Sequence, residues 1–190
     1  MAGPSCAGEG FATMDRALDN LRTAPAAIVR TAVALLGRDA MAMTMNGEAT
    51  LPAAKDVVWA KLNDPEVLKA CIPGCEQLTM DDETHLSAVV KVKLGPVKAT
   101  FKGKVELSEL DPPNGYRISG EGEGGIAGFA KGGARVHLSD AEGGQTLLRY
   151  EVEAQVGGKL MQLGSRLIDS VSKKLADEFF ANFAKAVSEG

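Results

Sequence analysis

The sequence predicts an α+β domain in which a curved antiparallel sheet wraps around a long C-terminal helix, with two short helices after the first strand. Three observations carry this. From Cys75 to Gly158, apolar and polar residues alternate between turn signals at DDET, LGPV, DPPNG, GEGG and AEGG. The stretch KLMQLGSRLIDSVSKKLADEFFANFAKAV then repeats apolar residues at helical spacing over roughly thirty residues. Before the sheet, two proline-led segments read as short helices.

The first strand is MTMNGEATL, beginning at Met43, so the domain runs 43–190. Pro52 opens the first helix, AAKDVVWAKLN, whose apolar residues gather around Trp59. Asp64-Pro65 sets an N-cap followed by proline at the first helical position, and PEVLKAC follows. That helix ends within CIPGC, because Pro73 disfavours helical geometry at Ile72 and Gly74 supplies the positive φ of a reversal. In HLSAVVKVKL, Leu86, Ala88, Val90, Val92 and Leu94 share one face. In VKATFKGKVELSEL, Val97, Ala99, Phe101, Gly103, Val105 and Leu107 do the same. Tyr116, Ile118, Gly120 and Gly122 continue the pattern, as do Leu148, Tyr150, Val152, Ala154 and Val156. The last helix is launched by Gly157-Gly158, with Leu160, Leu163, Leu167, Val171, Leu175 and Phe179 as its apolar stripe. Wrapping the sheet around it buries both apolar faces at once.

Residues 1–40 form an N-terminal extension. Leu18, Leu21, Ile28, Ala32 and Leu35 recur at helical spacing, which suits an amphipathic helix docked on the domain or lying on a membrane. With equal weight, translation starts at Met41, Met43 or Met45 and the extension lies upstream of the protein. Ala40-Met41-Ala42 has the small-x-small form of a signal cleavage site, but Arg30 interrupts the apolar stretch and Asp39 crowds the site. No run of 18 apolar residues occurs, so no helix is expected to span a bilayer.

Composition narrows the chemistry. A net charge of −4 argues against nucleic-acid binding, which draws on an excess of Lys and Arg. Three cysteines fit a reducing, cytoplasmic compartment rather than a disulfide framework. Cys71 and Cys75 have C-x-x-x-C spacing with no second ligand pair nearby, so no metal site is expected. Gly120 to Gly125 formally match G-x-G-x-x-G, yet IAGFAKGGARV cannot start the helix a pyrophosphate needs, and Glu121 and Glu123 would repel it. His85 and His137 fall on the outward parity with no nucleophile and carboxylate arranged around them. No catalytic residue is expected.

The inward parity mixes bulky residues with Ala88, Ala99, Gly103, Gly120, Gly122 and Ala154. Small residues there either let the helix approach or leave a hollow. The lining expected of a hollow is Val90, Val92, Phe101, Val105, Tyr116, Ile118, Phe129, Tyr150 and Val152 from the strands, with Leu163, Leu167 and Val171 from the last helix. Tyr116 and Tyr150 are the polar handles of an otherwise apolar site, which suits an oily ligand with one polar end. On the outer face, Lys91, Lys93, Lys98, Lys102 and Lys104 read as the solvated face that protects a sheet, or as a docking patch for an acidic partner or anionic headgroups.

The ordered set MNGEATL, Val58-Trp59 with Leu62, Asp64-Pro65-Glu66, Ile72-Pro73-Gly74-Cys75, Leu94-Gly95-Pro96, Gly143 to Tyr150, and Phe179-Phe180 resembles the CoxG family of carbon monoxide dehydrogenase subunits over about residues 43–187. That family belongs to the START-like (SRPBCC) helix-grip superfamily. The resemblance implies a non-enzymatic accessory role beside a molybdenum hydroxylase of the carbon monoxide dehydrogenase type. It implies recruitment of that enzyme to the inner face of the cytoplasmic membrane as a peripheral contact, or carriage of a quinone or lipid as bound ligand. CIPGC matches the family at a structural turn, with both cysteines as small buried groups and reversible oxidation as the alternative. Two other readings stay open: a START-like cyclase or hydrolase on an aromatic substrate, and an interaction adaptor with a packed core.

Overall fold

The computed structural model describes residues 40–188. The expected N-terminal helix lies outside the described residues. Seven antiparallel strands form one sheet in the order β1-β7-β6-β5-β4-β3-β2. In chain order the elements are β1 (Ala40–Leu51), α1 (Lys55–Leu62), α2 (Pro65–Cys71), β2 (Cys75–Met80), β3 (His85–Leu94), β4 (Val97–Asp111), β5 (Gly115–Glu123), β6 (Phe129–Ala141), β7 (Gln145–Gly157) and α3 (Ser165–Ser188). The strand, two helices, six strands and long helix are those the periodicity predicts.

Some boundaries move. β1 starts at Ala40 rather than Met43, because Ala40, Met41 and Ala42 pair with Gly157, Val156 and Gln155 of β7. α1 starts at Lys55, with Ala54 as an N-cap that offers no side-chain acceptor, so Pro52 stays outside the helix. α2 follows the expected chemistry: Asp64 Oδ1 accepts from the amides of Glu66 at 2.9 Å and Val67 at 3.4 Å. Gly74 takes φ +75, and a Cβ there would collide with the backbone carbonyl of Lys91. The turn is therefore closed to any other residue, and the Lys91 amide donates to the Gly74 carbonyl at 2.8 Å.

The predicted thirty-residue final helix is corrected by its own glycine. Gly158–Leu163 is a 3-10 helix, and Gly164 at φ +80 breaks the chain's course before α3 begins. The buried stripe of α3 is accordingly phased on Ile168, Phe183 and Val187. Leu160 and Leu163 belong to the preceding turn, where Leu160 is buried.

One face of the sheet packs on α3, in two clusters. The larger joins Leu51, Val58, Leu62, Cys71, Leu107, Tyr116, Leu138 and Leu148 around Phe183 and Val187, near the C-terminal end of α3. The smaller joins Leu94, Val156, Leu160 and Ile168 near its N-terminal end. Thr146, fully buried, donates from Oγ1 to the Ala53 carbonyl at 2.7 Å and so ties β7 to the chain entering α1. Asn182 Nδ2 donates to the Cys71 carbonyl at 3.2 Å and ties α3 to the end of α2.

Phe183 is 0% exposed at the centre of the larger cluster, stacked on Phe179 at 5.7 Å. Phe183→Ala is expected to cost about 3–5 kcal/mol of unfolding free energy in urea titration. A loss below about 1 kcal/mol would mean the larger cluster does not hold α3 against the sheet.

Candidate functional site

The site is built by strand pairing. Residues directly opposite in an antiparallel sheet share a face, so register sorts every predicted lining residue. Leu107, Ile118, Ala134, Val152 and Met45 form one row across the inner face. Leu86, Val105, Gly120, Gly132, Ala154 and Met43 form the next. Ala88, Gly103, Gly122, Ala130, Val156 and Met41 form the third. A band of glycine and alanine thus crosses the middle of the sheet, beneath α3 and between the two core clusters.

Most of the band is half-buried. Ala88, Gly103, Gly120, Gly122 and Ala154 are half-buried, and so are the bulkier inward residues beside them, Val90, Val105, Ile118 and Val152. On α3, Leu175 and Ala176 are also half-buried and belong to neither cluster. At the ends of the sheet the corresponding residues close tightly, with Leu138 at 1% and Leu148 at 2% exposure. Val105, Gly120, Gly132 and Ala154 also line the groove on the outer side of the sheet, and on the inner side their small side chains fill less of the space between sheet and helix than the large residues of the two clusters do. A Cβ at Gly122 would meet nothing nearer than 3.7 Å, at ordinary contact distance.

The predicted lining divides accordingly. Val105, Tyr116, Ile118 and Tyr150 pack at the edge of the larger cluster. Val92, Phe101, Leu163 and Val171 pack at the smaller one. Val90 and Val152 lie between them, and Leu167 sits at the rim, where a Cβ on Gly95 would touch its Cδ2 at 3.0 Å. Phe129 is a correction. It pairs with Gly157 and Glu123, on the parity of Lys131 and Lys102, and therefore faces outward. Met43, Met45, Gly132 and Ala134 enter the inner face unpredicted. Counting back from Val136 in steps of two would have found the last two and displaced Phe129.

The tyrosines are anchored by aromatic contact. Tyr116 meets Trp59 edge-on at 5.5 Å, and burial pushes its hydroxyl pKa up to about 12. Tyr150 stacks on Phe180 at 5.2 Å, its hydroxyl lies over Gly47, and burial, with Asp177 nearby, raises its pKa. Apart from Cys75 at the free edge and Asp140 at the rim, these are the ionisable groups on the inward parity of the strands. Neither hydroxyl is poised to give up a proton near neutral pH. Cys71 is buried, Cys75 half-buried, and both are free. Burial raises both thiols, opposing the thiolate that disulfide exchange requires.

The outer lysines do not form a uniform patch. Lys91 pairs with Glu76 at 2.7 Å, Lys104 lies opposite Glu121, and Lys102 lies opposite Glu123. Lys93 and Lys98 face each other at the tip of the β3–β4 hairpin. The twist of the sheet opens a groove of about 1050 Å³ on this outer side, where Lys104, Lys131 and Arg135 interleave with Glu121, Glu151 and Glu153. Among the described residues no cluster of His, Cys, Asp and Glu suits a metal ion, and no helix is long and apolar enough to cross a membrane.

This architecture, a curved antiparallel sheet closed by a long C-terminal helix, defines the START-like helix-grip class. It aligns with a START superfamily protein from Mycobacterium smegmatis (TM-score 0.60, 11% identity, 77% of this chain and 97% of that one). It also aligns with the Zhui aromatase/cyclase from Streptomyces sp. R1128 (TM-score 0.56, 14% identity, 78% and 94%). A conserved protein from Geobacillus kaustophilus is nearer in sequence, at 31% identity and TM-score 0.73 over 77% of this chain and 96% of that one. Among curated protein sequences nothing matches. Residues 47–188 match the CoxG family of carbon monoxide dehydrogenase subunits, and the chain belongs to that family.

His85 belongs to a surface turn outside the inner face. Hydrogen bonding to Asp82, whose Oδ1 lies 2.9 Å from Nδ1, raises its pKa above the ordinary 6.5. The amide of Thr84, with His85, pulls Asp82 down to about 2. The histidine contribution to stability is full below pH 6.5 and fades as pH rises through its folded value. The aspartate contribution is full above 3.8 and fades as pH falls through about 2. NMR titration should place the His85 midpoint above the ordinary 6.5, and Asp82→Asn should return it to the ordinary range. An unchanged midpoint in the variant would remove Asp82 as the cause.

Proposed function

We propose that this protein is a non-enzymatic accessory protein of a molybdenum hydroxylase of the carbon monoxide dehydrogenase type. It holds a hydrophobic ligand such as a quinone between the sheet and α3, and it links the enzyme to the membrane. The observation that carries the ligand reading is the half-buried glycine and alanine band of Ala88, Gly103, Gly120, Gly122 and Ala154, set between two separately packed clusters. An apolar guest there gains about 25 cal/mol for each Å² it removes from water, without charged contacts. Tyr116 and Tyr150 border the band and offer hydroxyls to a carbonyl or hydroxyl head. Among the described residues the inward strand positions beside the band carry no carboxylate or histidine, and the two tyrosine hydroxyls hold their protons near neutral pH, which supports carriage over turnover. Membership of the family supports association with the hydroxylase.

The neutral fluorophore N-phenyl-1-naphthylamine should bind, brighten, and be displaced by a short-chain quinone. Gly122→Leu, which projects into the proposed ligand space, should weaken that binding by about tenfold or more while leaving the melting temperature near that of the wild type. If Gly122→Leu instead lowers stability by about 1–3 kcal/mol with no effect on the fluorophore, the space is already packed and the carrier reading fails.

A further inference from the structure

Charge is distributed unevenly along the strands. At one end lie the β3–β4 turn, the β5–β6 connection, the start of β1, the end of β7 and the first turn of α3. Here Lys93, Lys98, Lys102, Lys131, Lys159 and Arg166 are exposed, against Glu121, which stands opposite Lys131, and Glu123 and Asp169 among the described residues. At the other end the turns carry Asp81, Asp82, Glu83, Asp111, Asp140 and Glu142. The whole chain has a net charge of −4, so a basic end is a local departure. Lys93 and Lys98 stand directly opposite one another, an arrangement that costs the hairpin stability unless an anion lies between or above them.

The same end carries the most exposed large apolar side chain among the described residues. Ile126 is 86% exposed, while its neighbour Ala127 is 2% exposed and anchors the connection. The loop is braced: the Gly124 amide donates to the Gly128 carbonyl at 2.8 Å, and the Ala127 amide to the Gly124 carbonyl at 3.1 Å. Gly125 (φ +58) and Gly128 (φ +113) give it a course that side-chain-bearing residues rarely take. A Cβ on Gly128 would also strike the Gly157 carbonyl, so the loop is seated against the end of β7. Ile126 is thus held outward by a fixed turn.

We propose that this end docks on an anionic lipid surface, with Ile126 entering the acyl boundary and Lys93, Lys98, Lys102, Lys131, Lys159 and Arg166 facing the headgroups. One apolar side chain on a narrow tip offers a protein partner little complementary area. In a fluid bilayer the same side chain is buried whatever its shape, and spaced lysines meet lipid charge without a fixed pattern. The docking surface also lies beside Leu167 and the 3-10 turn at Gly158–Leu163, next to the smaller core cluster. This proposal rests on the membrane-linking part of the function above and not on its ligand part.

The test is flotation of the full chain with vesicles of phosphatidylcholine alone and with about a third phosphatidylglycerol. The wild type should float with the anionic vesicles at low salt and be released at about 0.5 M salt. Lys93→Glu with Lys98→Glu, and separately Ile126→Ser, should each weaken flotation by about tenfold or more, whereas Asp81→Asn with Glu83→Gln should not. The tryptophan emission of Ile126→Trp should shift to the blue with anionic vesicles beyond any change in the wild type. The proposal is overturned if the wild type fails to float, floats equally with neutral vesicles, or keeps its binding in the Lys and Ile126 variants. It is overturned as well if Ile126→Trp floats with unchanged emission, or if salt-sensitive self-association replaces vesicle binding. Fluorophore binding by the Lys93/Lys98 variant, and flotation by Gly122→Leu, keep failure of this proposal separate from failure of the ligand reading.

Discussion

One helix covers one face of a seven-stranded sheet, and the rest of the molecule follows from how far that cover reaches. Alternation commits every second strand residue to the covered side. α3 can meet that side closely where large residues project from both partners. This happens at Phe183 and Val187 over Leu138 and Leu148, and again at Ile168 over Leu94 and Val156. Between those contacts the sheet presents glycine and alanine, and Leu175 and Ala176 of the helix belong to neither cluster.

The arrangement divides the core unequally along one axis. The larger cluster, with Trp59 on Tyr116 and Thr146 bonded to Ala53, braces the end that also carries α1 and α2. The opposite end is held by a smaller cluster and by turns that rely on glycine. There Gly164 interrupts the approach to α3, and Gly128 abuts the end of β7. Sites that admit ligands or meet partners tend to occupy the less stable part of a fold, and here charge and an outward isoleucine gather at that end too.

Much of the fold was legible because it rests on local rules. Asp64 caps α2 as Asp-Pro predicts, Gly74 turns the chain with positive φ, and the lysines of β3 and β4 fall outward. Less of the site was legible. Phe129 reads as lining by composition, but the glycine turn before it sets a phase in which Ala130 points inward. Leu167 reads as stripe, yet Gly164 restarts the helix and Ile168 takes the buried position. Ile126 sits in a glycine-rich stretch with no periodicity to distinguish an outward side chain from a buried one.

The sequence by itself determined the order of elements, the faces of the strands and the family, because alternation, caps and turn residues act over a few neighbouring positions. It also placed small residues on the inner parity. Only the tertiary structure decided that those residues align into a band across adjacent strands and that the core splits on either side of it. It alone decided, too, that lysines from separate turns converge at one end around Ile126. Register and helix placement join residues far apart in the chain, and no local pattern carries that information.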